Sequence, residues 1–172
     1  VGAVWGDDGM IYYGDASGSL FYMVRENGGE PVLVTDKIHT LIEISDFIST
    51  PSGSGVLFIS PGPNISRGPF STYFIDLSSG EITRLVEGQT PSVYKEYLVM
   101  VEDGQLRLRD ADFDEVKQVG AAKTIVNSEI RYTLEGAQYA LSRNNVMMFL
   151  SGESSLKSQL SVLGPQTNEV KP

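Results

Sequence analysis

The chain has 172 residues, of which 41% are hydrophobic and 20% charged, a composition typical of a folded domain and not of a disordered one. Its net charge of -9 argues against general binding to nucleic acids or anionic membranes, because both require basic patches. It has no cysteine, which excludes disulfides and thiolate metal sites, and no apolar run of the roughly 18 residues that could span a membrane.

The first part of the chain predicts three short strands separated by turns. Residues 5–9 (WGDDG) contain an Asp-Gly turn, and strands are expected at residues 10–13, 20–24 and 32–35. These segments are rich in β-branched and aromatic residues, which favour strands. Residues 36–48 come nearest to a helical pattern, although their alternation also suits a strand or a crossing segment.

Looser copies of the same unit follow. A loop at residues 61–70 has three prolines and two glycines, and the tail after Gly164 is expected to fray. The later strands are predicted at residues 56–60, 72–75, 82–86, 98–101, 106–108, 115–119 and 146–150.

A unit of strands and turns that recurs at roughly 40 to 50 residues is typical of propeller blades. We therefore predict an all-β chain, a partial or small β-propeller of about three to four antiparallel blades in a single domain, residues 1–172. The approximate blades are residues 1–36, 46–88, 90–122 and 137–165. Such an array has two open edges, so we expect a fragment of a longer chain, a small closed ring, or a homodimer through the open edges.

Two acidic segments are candidate cation sites, and a turn is the preferred interpretation of both. At residues 7–9 clustered carboxylates could hold a hard cation, but Asp in an Asp-Gly turn commonly accepts backbone hydrogen bonds. The second segment lacks the glycine and the final glutamate of a calcium loop, which favours a solvated hairpin tip. Its carboxylates are Asp110, Asp112, Asp114 and Glu115. We predict no metal and no cofactor.

No residue cluster predicts a reaction. His39 is the only histidine, and the Gly-x-Ser-x-Gly elbow of a serine hydrolase is missing. Glu43 and Asp46 are a carboxylate pair of the type that cleaves glycosides, but the sequence does not place them across a cleft. We therefore predict no catalytic residue.

The aromatic residues of the predicted strands are expected to pack between blades and not to stack on a ligand. They are Trp5, Tyr12, Tyr13, Phe21, Phe58, Phe74 and Phe149. Gly28-Gly29 is interpreted as a hairpin turn, and the glycosylation sequon at residues 64–66 as a chance match.

The first repeat resembles the WD40-like or TolB-like β-propeller repeats of bacteria, as found C-terminal to bacterial serine/threonine kinase domains. Its matching residues are Trp5, the turn at residues 8–9, SLFYMV at 19–24, GGEP at 28–31 and VT at 34–35. Looser matches lie at residues 76–86, 96–106, 112–114 and 139–149. The Gly-rich loop and the catalytic loop of a kinase are both missing from this sequence.

The resemblance implies a non-catalytic binding or scaffold module, such as the sensor domain of a kinase-type parent, with the loop at residues 61–70 as the most exposed surface. Its partner would be a protein or a small ligand of unknown chemistry. A second hypothesis is the propeller part of a hydrolase or peptidase, which predicts a central pocket around His39, Glu43 and Asp46. A third is a gene fragment with no independent function. The bacterial cytoplasm and the periplasm both remain open as the location.

Overall fold

The computed structural model describes residues 2–15, 20–41, 44–62, 70–113, 119–133, 136–142, 144, 146–152, 159–164 and 167–171. In these residues the chain forms four antiparallel sheets of four strands and one short hairpin. Each large sheet has its strands in chain order, as in a meander. The predicted all-β, propeller-like architecture is confirmed. The only helical segment in these ranges is a short 3-10 turn, Lys37–Thr40, and no described helix is long and apolar enough to cross a membrane.

We number the large sheets as blades 1 to 4. Blade 1 contains β1 (Ala3–Trp5), β2 (Met10–Gly14), β3 (Phe21–Arg25) and β4 (Val32–Thr35). Blade 2 contains β5 (Ser45–Ser49), β6 (Gly55–Ser60), β7 (Ser71–Asp76) and β8 (Ile82–Glu87). Blade 3 contains β9 (Gln89–Tyr94), β10 (Tyr97–Glu102), β11 (Gln105–Asp110) and β12 (Lys123–Val126). After the hairpin β13 (Tyr132–Thr133) and β14 (Gly136–Ala137), blade 4 contains β15 (Tyr139–Leu141), β16 (Met147–Ser151), β17 (Gln159–Gly164) and β18 (Thr167–Lys171).

One predicted segment differs from the structure, and another is only partly described. The last strand of blade 3 is Lys123–Val126, while residues 115–118 of the strand expected at 115–119 lie outside the described residues and Val119 forms an isolated bridge to Ala111. The tail expected to fray instead contains the strand Thr167–Lys171, which pairs with β17 on one side and forms the outer edge of blade 4.

The first strand of each blade forms the inner part of the array. β1 packs beside β5, and β5 packs beside β9. β5 and β9 each carry a non-glycine residue with positive φ at their second position, Asp46 (φ 54°) and Thr90 (φ 50°), next to a shift in strand register. Positive φ at such residues together with a register shift marks β-bulges.

Each pair of neighbouring blades encloses its own hydrophobic core, because side chains alternate between the two faces of every strand. We call the face toward the preceding blade the front face, and the opposite face the back face. The core between blades 1 and 2 includes Tyr12, Phe21, Phe47, Phe58 and Tyr73. The core between blades 2 and 3 includes Leu57, Phe74, Leu98 and Met100, and the core between blades 3 and 4 includes Val99, Val101, Leu106, Met147 and Phe149.

Aromatic contacts organise the first core. Phe21 and Phe47 have ring centroids 5.2 Å apart, and Phe58 stacks on Tyr73 at 5.3 Å. Such pairs add about 0.5–1.5 kcal/mol each beyond the area they bury. The outer strands also meet at this interface: a Cβ on Gly80, in the β7–β8 turn of blade 2, would lie 2.6 Å from the Val34 carbonyl oxygen of blade 1.

Candidate functional site

The loops that follow the inner strands meet at one end of the array, where they line a cavity of about 440 Å³ that we call the mouth. All four blades contribute to it. Its lining residues are Trp5, Asp7, Ile48, Ser49, Pro51, Val93, Tyr94, Lys95, Leu141 and Ser142. A volume of this size lies within the range of small-ligand sites.

Aromatic and cationic groups dominate the chemistry of the mouth. Trp5 is 61% exposed, and its indole Nε1 donates a hydrogen bond of 3.0 Å to Glu26 Oε2, which fixes the ring orientation. The Lys95 ammonium lies 5.2 Å from the centroid of the Tyr94 ring, within cation–π range. Lys95 itself has a φ of 52° in the β9–β10 turn. The mouth therefore offers the exposed indole of Trp5, part of the Tyr94 ring, the ammonium of Lys95 and the carboxylate of Asp7.

The Asp-Gly turn of residues 7–9 has the geometry expected of a turn. The Gly6 N–H donates to the Met10 carbonyl at 2.8 Å, and Asp8 Oδ1 accepts from the Met10 N–H at 3.1 Å. Asp8 Oδ2 accepts from the Tyr12 hydroxyl at 2.6 Å. Burial and the neighbouring Asp8 carboxylate hold the pKa of Tyr12 well above its usual range. Asp8 is thus committed to the turn, whereas Asp7 lines the mouth.

A second cavity of about 570 Å³, the side groove, lies between blades 2 and 3 at the same end. It shares Pro51 and Lys95 with the mouth and adds the carboxylates of Glu96, Asp110 and Asp112. Asp114 and Glu115, the rest of the predicted acidic cluster, lie outside the described residues. Among the residues that are described, no group of three or more carboxylates or imidazoles is arranged to hold a metal ion.

At the opposite end, a cavity of about 490 Å³ contains a buried ion pair. The Arg109 guanidinium donates to both oxygens of Glu102, at 2.7 and 2.8 Å, and also donates to the Gly120 carbonyl at 2.7 Å. Arg107 Nη1 lies 3.7 Å from Glu102 Oε2. The Glu102 hydrogen bonds raise the pKa of Arg109. Because these bonds join β10, β11 and the segment before β12, the pair holds blade 3 together internally.

The predicted pocket around His39, Glu43 and Asp46 is only partly described. The backbone of His39 lies in the 3-10 turn, while its side chain and Glu43 lie outside the described residues. Asp46 lies in β5, where burial raises its pKa, and it does not line the mouth, the side groove or the opposite cavity. Of the loop at residues 61–70, residues 63–69 also lie outside the description, and Phe70 lines the opposite cavity.

The prediction that strand aromatics pack between blades is confirmed for five residues, which are Tyr12, Phe21, Phe58, Phe74 and Phe149. It is wrong for Trp5, because no blade covers the front face of blade 1 in the described residues. Tyr13 stacks on Tyr22 on that same face, with ring centroids 5.7 Å apart. Tyr94 and Lys95 were not predicted, because the polar segment that forms β9 gave no strand signal.

Several solved structures match the whole fold. A prolyl endopeptidase matches 99% of this chain with a TM-score of 0.65 and 12% identity, and a puromycin-hydrolysing peptidase of Mycobacterium tuberculosis matches 98% with a TM-score of 0.58 and 14% identity. A chain of a nidogen–laminin complex matches 95% with a TM-score of 0.52 and 9% identity. This chain spans 28%, 37% and 62% of the length of those three chains, respectively.

At these identities the matches show the fold alone, a set of propeller-like blades. No family model matches the chain, and no curated protein sequence matches it significantly. The narrower resemblance to WD40-like or TolB-like repeats therefore stays a prediction.

Proposed function

We propose that this chain supplies blades to the propeller of a peptidase-type hydrolase, in which it is non-catalytic and binds short peptides at the mouth. The observation that carries the proposal is the fold match to two peptidases, each over at least 98% of this chain. Because the chain spans about a third of each, the catalytic machinery of such a protein would lie in other parts of it.

The mouth has groups that suit a short peptide with free ends. The exposed indole of Trp5 can cover an apolar or prolyl side chain, since aromatic rings offer large, rigid contact surfaces, and the part of the half-buried Tyr94 ring that lines the mouth can extend this contact. The Lys95 ammonium can pair with a C-terminal carboxylate, and Asp7 can accept hydrogen bonds from an N-terminal ammonium. This arrangement orients a peptide but contains no nucleophile paired with a base among the described residues that line it.

Fluorescence can test this proposal directly, because Trp5 is the only tryptophan in the chain and lies in the mouth. Titration with unblocked tri- and tetrapeptides containing proline should give a saturable change in Trp5 emission. The same peptides incubated with the purified chain should remain uncleaved. If no peptide changes the emission up to millimolar concentrations, the peptide-binding proposal fails; cleavage would contradict the non-catalytic role.

A charge-neutral variant sharpens the test. Lys95→Met should weaken binding of peptides with a free C-terminal carboxylate by about fivefold, roughly 1 kcal/mol. It should leave the affinity for C-terminally amidated versions of the same peptides unchanged. Lys37→Met removes the same charge from the 3-10 turn between blades 1 and 2, outside the mouth, and should leave both affinities unchanged. Equal effects of the two variants would indicate a general electrostatic attraction instead of a site.

The side groove favours a second candidate function, a scaffold that binds a basic protein segment. Three carboxylates, Glu96, Asp110 and Asp112, line this groove beside one lysine, in a chain with a net charge of -9. Binding of a Lys/Arg-rich peptide that weakens steeply with salt and is lost in Asp110→Asn/Asp112→Asn would support it. Binding that is insensitive to both changes would rule it out.

A further inference from the structure

The side groove and the mouth are two parts of one continuous depression. Pro51 of blade 2 and Lys95 of blade 3 line both cavities, so the cavities meet at these two residues. All the residues that line the side groove belong to blades 2 and 3. Each of these blades packs against a neighbouring blade on both faces, so both walls of the groove are held from behind.

The floor of the side groove is apolar and preformed. Ala111 and Phe113 line it and are only 6% and 7% exposed, because they also pack in the core between blades 2 and 3. The Ser54 hydroxyl of blade 2 donates a hydrogen bond to the Phe113 carbonyl of blade 3. The Ala111 N–H donates to the Glu96 carbonyl at 2.8 Å. A ligand therefore meets a surface that does not have to be ordered on binding.

Carboxylates surround this apolar floor. Glu96 follows Lys95 in the β9–β10 turn, and Asp110 is the cross-strand partner of Tyr97. The charge of Glu96, with a smaller contribution from Asp110, raises the pKa of Tyr97, so both carboxylates act on the same hydroxyl. Lys123 lies 3.9 Å from Asp110 in an exposed ion pair, which neutralises little of this charge. The groove is thus negative except at its junction with the mouth, where Lys95 lies.

An apolar floor between carboxylates fits the side chain of arginine or lysine. Such a side chain lays its methylene stem on apolar surface and keeps its charged head among polar groups. When a peptide carboxylate pairs with Lys95, the side chain of the same C-terminal residue is the one nearest to the groove. A basic C-terminal residue carries a negative and a positive group, and these complement Lys95 and the groove carboxylates Glu96, Asp110 and Asp112.

We infer that the ligands of the mouth are short peptides that end in arginine or lysine, with the C-terminal carboxylate at Lys95 and the basic side chain in the side groove. This inference rests on the proposed function and narrows its class of ligand. It differs from the second candidate function, because one peptide occupies both cavities through its last residue. A basic residue inside a longer segment lacks the carboxylate that places it at Lys95.

Citrulline has the shape of arginine without its charge, so it isolates the contribution of that charge. In titrations followed by Trp5 emission, Ala-Pro-Arg should bind about tenfold more tightly than Ala-Pro-citrulline. The reversed peptides Arg-Pro-Ala and citrulline-Pro-Ala carry the same difference at the other end, and their affinities should differ by at most about twofold. An equal gain in both pairs would indicate attraction to the net charge of -9 and would overturn the inference.

Two double variants test whether the groove is the source of the preference. Glu96→Gln/Asp110→Asn should reduce the preference for arginine over citrulline from about tenfold to about twofold and leave the affinity for Ala-Pro-citrulline unchanged. Glu30→Gln/Glu81→Gln is the matched control, because it removes two exposed carboxylates that line neither cavity. It should keep the tenfold preference. If the preference survived in the first variant, the basic side chain would not lie in the groove. Circular dichroism of each variant checks that the fold is intact.

Amidated peptides separate this inference from its alternatives. Ala-Pro-Arg-amide should lose most of its preference over Ala-Pro-citrulline-amide, because no carboxylate then holds the last residue at Lys95. An undiminished preference in the amides would mean that the groove binds basic residues without the mouth, as in the second candidate function, and would overturn the inference. If the free peptides bound with equal affinity, the inference alone would fail. If no peptide bound, the proposed function would fail together with it.

Discussion

The ion pair between Glu102 and Arg109 offers a quantitative test of how the strands of blade 3 are held together. Glu102 is 8% exposed and accepts both guanidinium hydrogen bonds at 2.7 and 2.8 Å, in the bidentate geometry of strong charge-assisted pairs. Replacing Glu102 by Ala leaves the Arg109 guanidinium without its carboxylate partner. Breaking a fully buried pair costs about 3–5 kcal/mol. Since the Arg109 side chain is 18% exposed and water can reach part of it, we expect about 2–4 kcal/mol.

Urea unfolding measures this loss directly. With a slope of roughly 2 kcal/mol per molar urea, the midpoint should fall by about 1–2 M in Glu102→Ala and by a similar amount in Arg109→Met. The double variant Glu102→Ala/Arg109→Met should lose less than the sum of the two single losses, because neither side chain then leaves the other's charge behind, and Arg107 keeps its pair with Asp103 at 3.4 Å. The exposed pair Arg84–Glu87, 3.7 Å apart, is the control: Glu87→Gln should cost less than about 0.5 kcal/mol.

Two results would refute this account of the ion pair in blade 3. If Glu102→Ala cost no more than Glu87→Gln, the buried pair would contribute no more than a surface pair. If the losses at Glu102 and Arg109 were fully additive, the two side chains would act independently in spite of their geometry.

Three further predictions concern single positions. Burial raises the pKa of Asp46, so the free energy of unfolding should fall as the pH rises above the ordinary aspartate value of about 4. Asn also tolerates positive φ, so Asp46→Asn should keep the backbone of this position. In thermal melts the melting temperature of Asp46→Asn should equal that of the native chain at pH 3.5 and exceed it at pH 7. Gly80→Ala should lower the free energy of unfolding in urea by about 2 kcal/mol more than Gly28→Ala does. Both glycines have positive φ, but only at Gly80 does the added Cβ meet a backbone oxygen. Equal losses would contradict the packing of the Gly80 turn on blade 1. Because the pKa of Tyr12 is raised, the stability that its protonated hydroxyl contributes is complete below pH 10 and is lost at higher pH. In absorbance titrations Tyr12→Phe should remove one late-titrating tyrosine. In urea unfolding the same variant should lose about 1 kcal/mol, because the hydrogen bond to Asp8 is gone.

The sequence predicts the middle strands of the blades well, and their physical signal is clear. β6 and β10 are buried along almost their full length, so they consist of short apolar runs bounded by turn residues. The inner strands are harder to predict. β9 contains Pro91 and a left-handed Thr90, and β5 contains a left-handed Asp46, so both have poor strand propensity; their neighbours on either side hold them in place.

The candidate site was likewise predictable from the sequence only in part. The turn at residues 7–9 can be read from its Asp-Gly signature, and the structure places it at the mouth. The sequence around Trp5 predicts a strand, and an aromatic residue in a strand is expected to pack between blades. Whether Trp5 is exposed depends on whether a neighbouring blade covers it, which the local sequence does not encode. The convergence of Tyr94 and Lys95 with Trp5 joins residues far apart in the chain, so it needs the topology.

The separate cores between blades have a consequence for the order in which the protein unfolds. Each hydrophobic core of the described residues lies between two consecutive blades, so stability is close to a sum of blade terms and nearest-neighbour terms, as in a one-dimensional chain of coupled units. Blades 2 and 3 each have two such couplings, and blades 1 and 4 each have one. Amide hydrogens of β6, β7 and β10 should therefore exchange with deuterium last, and fraying should start at the two ends and move inward. Anything that covers the end faces would then slow exchange in every blade, including those it does not touch.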